Sequence, residues 1–246
     1  MDGFQGTVFF DPLYSSYQLN KELSWIGGID DSHNHKHAKE VLFWAQEIIK
    51  NVPQRLYKRD LLMIGQCCLL HDLMDRKYTD FSDQVAEHLD RFHPIHETEL
   101  MLKVMKTMSY SKTVFEDSVV FPEWLQDSPF DNVYHITREA DLLAAYNTAR
   151  MIEFRRAKHG DLSFKEVQEE VMNLYDKRIS KMISKGLFIN PSSKEIAKHL
   201  HAVAEYKIKL VPNLNSFQNL DILRIVNHLS IYDLVREMDS IPCVSV

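Results

Sequence analysis

The sequence predicts an all-α protein, because its composition and its apolar patterning both favour long helices. Only 7 Gly and 8 Pro occur among the 246 residues, so many short strands joined by turns are not expected. Apolar residues recur at spacings of three and four, the period of an amphipathic helix. No segment offers several strands of alternating apolar and polar residues. We therefore expect a helical bundle.

The first clear helix is predicted to start near His35 and to stop at Pro53. Asp31 or Ser32 can cap it, and its apolar stripe comprises Ala38, Val41, Leu42, Ala45, Ile48 and Ile49. The next helix, 57–73, contains the run LLMIGQCCLL, which is apolar on nearly every face. Such a run is typical of a central buried helix.

Further helices are predicted along the rest of the chain. Their ranges are 82–90, 96–107, about 132–150, 163–184 with Ser163 as cap, 191–207 and 217–237. Residues 121–132 are read as a loop or short turn.

The chain is interpreted as one domain with two appendages. Residues 1–29 are rich in aromatic side chains without a clear period, and we read them as an N-terminal arm packed on the domain. Residues 30–212 form the predicted domain, and Pro212 marks the boundary to a C-terminal helical extension, 213–246.

Charge and cysteine content exclude several classes of protein. The formal net charge of -6 argues against a protein that coats nucleic acid and against a polybasic membrane binder. The three cysteines, Cys67, Cys68 and Cys243, lack the spacing of a zinc knuckle or a disulfide scaffold. The start of the chain does not resemble a signal peptide, and no stretch has 18 uncharged apolar residues. We expect a cytoplasmic, reducing compartment and no membrane contact.

Histidine and aspartate occur in three segments that could hold a metal ion. SHNHKHAKEV carries His33, His35 and His37, LLHDLMDRKY carries His71-Asp72, and HITREADLLAAY carries Asp141. Imidazole and carboxylate together suit a divalent ion, and two of each leave positions open for water. Taken alone, the histidine cluster is also consistent with an exposed polar helix start, and Asp141 with a structural salt bridge, for instance to Arg138.

The order of these residues resembles that of the HD-domain metal-dependent phosphohydrolases. SHNHKHAKEVLFWA is similar to the first helix of that superfamily, and LLHDLMDRKY to its ligand pair. MSYSKT and EADLLAAYNTARMIEFRRAKHG resemble a branch of small stand-alone HD hydrolases, some of which are nucleotide pyrophosphohydrolases. The resemblance covers about residues 30–205, with Asn34 in place of an Asp of that branch.

The resemblance implies an HD-domain helical bundle in which His37, His71, Asp72 and Asp141 hold a divalent metal: Mn, Mg, Fe, Co, Ni or Zn. The metal would lower the pKa of a bound water, so that hydroxide can attack a phosphate ester or anhydride. The implied substrate is a small phosphorylated molecule, in particular a nucleotide.

Other residues are candidates for catalysis and substrate binding. Asp75 follows Asp72 by about one helical turn and could orient or deprotonate the water, or act as a general acid. Its alternative is a solvent-exposed acid at a helix end. The candidates for contact with the substrate are Lys77, Lys112, Arg150 and His33, and each could instead be a surface or helix-capping residue.

Two other functions remain open at this point. The chain could be a non-catalytic HD module that binds a nucleotide or a protein partner. It could also be a structural helical protein that forms homo-oligomers through its arm or its 213–246 extension. Burial in the core is the expected use of Trp25, Trp44 and Trp124, and stacking on a base is the alternative.

Overall fold

The computed structural model describes residues 7–30, 32–53, 55–74, 79–116, 118–126, 128–158 and 162–210, and these are predominantly α-helical, as predicted. Their α-helices are α1 (Thr7–Ile26), α2 (His35–Ile49), α3 (Lys58–Leu70), α4 (Ser82–Leu89), α5 (Ile95–Thr107), α6 (Tyr110–Thr113), α7 (Asp131–Ala144), α8 (Thr148–Lys158), α9 (Phe164–Lys177) and α10 (Pro191–Leu210). Short 3-10 helices lie at His71–Met74, Glu123–Leu125 and Ile179–Lys181. Strands β1 (Val114–Phe115) and β2 (Ser118–Val119) pair antiparallel, with Val114 opposite Val119.

The chain divides into two compact units, each of which is described by itself. The first unit comprises residues 1–144 and 182–198, and the second comprises 145–181 and the chain from His199 onward. The predicted extension 213–246, with its helix at 217–237, lies outside the described residues. No described helix is both long enough and apolar enough to cross a membrane.

The core of the first unit forms where α2, α3 and α7 contact one another, and α1 packs on α3. Four residues of the stripe predicted for α2 are buried, Ala38, Val41, Ala45 and Ile48, whereas Leu42 and Ile49 are half-buried. Helix α3 is buried along its C-terminal half, as its composition predicted. Fully buried apolar side chains from the three helices include Val41, Ala45, Ile48, Ile64, Leu70, Val133, Ile136 and Ala140. This three-helix core carries all the segments with predicted metal ligands.

The predicted N-terminal arm contains a long helix, α1, that ends in a glycine turn. The backbone N–H of Ile29 donates to the carbonyl of Ser24 at 2.9 Å, and Gly28 adopts a φ of 62°. A residue in this left-handed conformation commonly ends a helix, and glycine adopts it without strain. The turn leads the chain directly from α1 to the start of α2.

The N-cap of α2 differs from the prediction, although its start at His35 is confirmed. The side chain of Asn34 accepts a hydrogen bond from the backbone N–H of Lys36 at 2.9 Å. Ser32, the predicted alternative, instead bonds to Asp30. The departure at position 34 from the branch named above therefore has a local structural use, because asparagine is a strong N-cap residue.

The helix predicted over 132–150 is wrong, because two helices occupy that range. Helix α7 ends at Ala144, and α8 begins at Thr148. The side-chain oxygen of Asn147 accepts from the backbone N–H of Arg150 at 3.1 Å, which satisfies a donor in the first turn of α8. Asn147 therefore does not continue α7; it lies directly before α8 and caps its first turn.

The second unit is built on the contact between α8 and α9. Ser163 caps α9 as predicted, in a reciprocal pair with Glu166. The hydroxyl of Tyr175 donates to the carbonyl of His201 at 3.2 Å, which ties α9 to the part of α10 that belongs to this unit.

Candidate metal centre

His37 lies in the first turns of α2 and points into the core of the first unit. Its side chain is only 2% exposed. The Asn34 cap starts the helix three residues earlier, so the register of α2 determines which face His37 shares with Val41 and Ala45. The same face contacts α3 and α7.

His71 and Asp72 lie where α3 gives way to a 3-10 helix. The ring of His71 donates from Nδ1 to the carbonyl of Cys68 at 3.0 Å. This bond uses Nδ1 and directs Nε2 toward the acids of the cluster, where its lone pair would be available to a metal ion. His71 Nε2 lies 3.3 Å from Asp72 Oδ2. The two adjacent side chains therefore direct donor atoms to one point.

Asp141 joins these residues from α7. Its Oδ1 lies 3.1 Å from His37 Nε2 and 3.9 Å from His71 Nε2. Arg138, the salt-bridge partner considered from the sequence, lies instead against Glu139, with 3.3 Å between Nη2 and Oε1. The contact between Asp141 and the histidines makes it part of the same cluster.

The structure thus brings together four residues that the sequence singled out for metal binding. His37, His71 and Asp72 each offer a ligand atom, and these atoms lie within 4.8 Å of one another. The rings of His37 and His71 meet edge to face, with centroids 5.3 Å apart. This group can hold a metal ion, and Asp141 lies beside it.

Two atoms of the cluster could accept a bound cation. His71 Nε2 and Asp72 Oδ2 are buried and have no hydrogen-bond partner among the described residues. A buried polar atom without a partner costs about 1–3 kcal/mol. A cation between the two lone pairs would offset this cost, and the donor set fits a divalent metal.

The neighbouring cysteines do not add to the donor set. Cys67 and Cys68 are free and buried, which agrees with their interpretation as core residues. Burial raises the pKa of the Cys68 thiol, and the charges of Cys67 and Asp141 raise it further. Cys68 is therefore a neutral thiol, and its role at the site is the carbonyl that orients His71.

His33, a predicted substrate-binding residue, lies beside the cluster. The ring of His33 meets that of His37 edge to face, with centroids 6.2 Å apart. Its Nδ1 lies 2.7 Å from the hydroxyl of Ser32. The position is consistent with contact to a substrate, which stays a prediction.

The described structure does not test the predicted cations and the predicted acid. Lys112 is exposed on α6, and Arg150 lies in α8 of the second unit, where its backbone bonds to the side chain of Asn147. Asp75 and Lys77 lie outside the described residues. The roles of all four stay predictions.

A second group of polar side chains was missed from the sequence, and all of its members are buried except Arg59, whose side chain is 49% exposed. We name it the buried polar chain; its members are Arg59, Glu97, His93, Gln66, Ser16 and His88. They are linked by hydrogen bonds or ion pairs of 2.5 to 3.2 Å. The available sequence signal was Gln66 inside the apolar run of α3, since a buried amide requires partners.

Helix α1 also supports the metal-ligand segment through a bond that the sequence did not suggest. Asn20 donates from Nδ2 to the carbonyl of Leu69 at 2.6 Å, two residues before His71. Ser24 in turn donates to Asn20 at 2.9 Å. These contacts hold the end of α3 against α1.

Comparisons of this chain with protein-family models, with curated proteins and with solved structures found no match.

Proposed function

We propose that this chain is a metal-dependent phosphohydrolase of the HD type, which cleaves a phosphate ester or anhydride of a nucleotide. The observation that carries the proposal is the convergence of His37, His71, Asp72 and Asp141 from three helical segments, with buried lone pairs on His71 and Asp72 that have no hydrogen-bond partner among the described residues.

The donor chemistry supports a divalent ion rather than a structural cluster. Two imidazoles and two carboxylates suit Mn, Fe, Co, Ni, Zn or Mg, and such a set leaves coordination positions for water and substrate. When bound, a metal of this kind would lower the pKa of a water molecule and polarise a phosphoryl oxygen. His71 is oriented so that Nε2 faces the cluster, because the backbone carbonyl of Cys68 accepts a hydrogen bond from Nδ1.

Access to the cluster differs between the histidines and the acids. The side chains of His37 and His71 are almost fully buried, whereas those of Asp72 and Asp141 are 13% and 20% exposed. The open side of the cluster is therefore the carboxylate side, together with His33. A phosphate would approach from there, and the negative carboxylates require that a cation be in place first.

The choice of phosphate as substrate rests on the resemblance to the HD hydrolases. The ligand order His37, His71-Asp72, Asp141 carries that resemblance, and the spatial cluster formed by the same residues supports it. Lys112 is proposed to contact phosphoryl oxygens, and Asp75 to orient the attacking water.

The test combines metal analysis with turnover. The full-length protein would be stripped with chelator, reloaded with Mn, Mg, Co, Ni or Zn, and screened against nucleoside mono-, di- and triphosphates, with products identified by phosphorus NMR. Asp72→Asn keeps the shape of the side chain and should reduce turnover more than about 100-fold through loss of a ligand. Asp90→Asn, at an exposed acid after α4, is the matched control.

Full activity of Asp72→Asn would contradict the proposal. A wild-type protein that takes up none of the added metals, yet binds nucleotide without hydrolysis, would instead favour the non-catalytic HD module.

A further inference from the structure

A surface pocket of about 580 Å³ lies between the C-terminal half of α1 and the first turn of α2, within the first unit. Its walls include the buried residues Ser24, Ile29 and Asn34, and its exposed residues include Lys21 and Trp25. Pockets of this size typically accept a small molecule. The metal centre described above does not use any of these side chains.

The indole of Trp25 is the most unusual feature of this pocket. It is 84% exposed, so the expectation that it is buried in the core is wrong, whereas Trp44 is buried as expected. A large exposed aromatic ring beside a pocket commonly marks a binding site, because its face can stack on a planar ring. Stacking of this kind tolerates any nucleobase, since each base has a π face.

The polar residues of the pocket favour an uncharged partner with several hydroxyl and amide groups. Gln18, Lys21 and Glu22 line the pocket from the exposed face of α1, and His35 lines it from α2. Lys21 and Glu22 carry opposite charges, so these two side chains add no net charge to the pocket. A carboxylate accepts from ribose hydroxyls, and a glutamine amide can both donate to and accept from the edge of a base.

The pocket begins close to the metal centre along the chain. Asn34 lines it and precedes His37 by three residues, which is a separation of about 4.5 Å along a helix axis. His33 precedes Asn34 directly and contacts the ring of His37. The pocket and the candidate metal centre are therefore neighbours at the start of α2.

We propose that this pocket binds the base and ribose of a nucleotide whose phosphates lie at the metal centre. The part concerning the phosphates rests on the proposed phosphohydrolase function. The binding of the nucleoside rests on the pocket alone, with Trp25 as the stacking residue and Glu22 as the acceptor for ribose hydroxyls.

The direct test uses nucleosides, which carry no phosphate and need no metal. Adenosine, guanosine, cytidine and uridine would be titrated into the full-length protein in the presence of chelator, with affinity measured by calorimetry and by quenching of tryptophan fluorescence. Trp25→Ala should weaken binding about tenfold or more, whereas Trp25→Phe keeps a ring and should retain most of the affinity. Phe115→Ala, at another exposed aromatic side chain, is the matched control.

A kinetic comparison separates the pocket from the metal chemistry. For nucleoside triphosphates, Trp25→Ala should raise KM about tenfold and leave kcat almost unchanged, because it removes binding to a part of the substrate that does not react. Hydrolysis of inorganic tripolyphosphate, which has the same anhydride bonds and no ring, should be unaffected.

The two proposals fail in different ways. If no phosphate substrate is turned over but Trp25→Ala weakens nucleoside binding, the proposed function is wrong and the pocket assignment holds for the nucleoside. If the wild type and Trp25→Ala bind nucleosides equally, or neither binds them at millimolar concentration, the pocket assignment is overturned even in an active hydrolase. A change in oligomeric state of Trp25→Ala without any effect on nucleosides would also overturn it, in favour of a protein interface.

Discussion

The metal centre and the buried polar chain lie in the same unit, use the same types of residue, and differ in how completely their polar atoms are paired. In the buried polar chain, Gln66 bonds to both Ser16 and His93, and His93 bonds onward to Glu97. In the metal centre, His71 Nε2 and Asp72 Oδ2 face each other with no hydrogen-bond partner among the described residues.

The comparison shows how a structural polar cluster can be told from a ligand site. Each link of the buried polar chain pairs a donor with an acceptor, and both ring nitrogens of His93 face acceptor oxygens. At the candidate metal centre His37 Nε2 donates to Asp141 Oδ1, whereas His71 Nε2 and Asp72 Oδ2 have no hydrogen-bond partner among the described residues, and a cation or a proton between them can satisfy both. The number of buried histidines and acids does not discriminate between the two; the match of donors to acceptors does.

The largest expected effect concerns metal binding at the candidate metal centre. His71→Ala should weaken divalent metal affinity more than about 100-fold, because it removes a direct ligand. Metal at 100 times its Kd should stabilise the wild type by about 2.7 kcal/mol and should not stabilise this variant. Calorimetry and thermal unfolding with and without manganese measure both quantities.

His96→Ala, at an exposed histidine of α5, is the control for this change and should behave as the wild type does. An equal rise of Tm with manganese in His71→Ala and in the wild type would contradict the distinction between the two regions.

A smaller effect, on stability alone, is expected in the buried polar chain. Gln66→Leu leaves Ser16 and His93 without their shared partner and should lower the free energy of unfolding by about 1–3 kcal/mol. Metal affinity should stay unchanged, because Gln66 makes no contact with the ligands that the described structure records. Urea unfolding measures the change, and Gln84→Leu on the exposed side of α4 is the control.

If Gln66→Leu reduced metal affinity as strongly as it reduced stability, the two clusters would form one coupled network and the comparison would lose its basis.

The smallest effect is the pH dependence that the buried polar chain should impose. Burial lowers the pKa of His88 in the folded protein, and the charge of Arg91 lowers it further. Below about pH 6.5 the unfolded chain then binds more protons than the folded one, so stability is complete above that pH and falls as the pH decreases toward the folded pKa. The slope from one such histidine is below about 1.4 kcal/mol per pH unit.

Urea unfolding at several pH values, in chelator so that metal does not contribute, tests this prediction. His88→Gln keeps a donor for Ser16 and should flatten the slope below about pH 6.5. An unchanged slope in His88→Gln would show that its protonation does not affect folding.

The all-α class was predictable, because low glycine and proline content and the 3–4 spacing of apolar residues act along the whole chain. Helix α1 was not predictable from an apolar stripe. Its side toward α3 carries three polar residues at helical spacing, Ser16, Asn20 and Ser24. A buried polar stripe satisfied by hydrogen bonds leaves no apolar period to detect. The Gly27-Gly28 pair at its end was the usable signal.

The site was predictable in part, for a related reason. The order of His37, His71-Asp72 and Asp141 anticipated the cluster, and the mutual contacts of α2, α3 and α7 bring these residues together. The orientation of His71 and the bond from Asn20 to Leu69 could not be predicted, because they depend on backbone carbonyls whose direction the sequence does not specify. The exposure of Trp25 could not be predicted from the sequence either, because an aromatic residue is more often buried.

The three-helix core has a consequence for how the site would acquire its metal. Val41, Ile64 and Ile136 hold the ligand-bearing helices through apolar packing, so folding itself places the ligand atoms near one another. The entropy of gathering the ligands is then lost when the chain folds and does not weaken the affinity for the ion. Such a protein can release and exchange its metal while folded, so the ion it carries would follow the supply of metals in its surroundings.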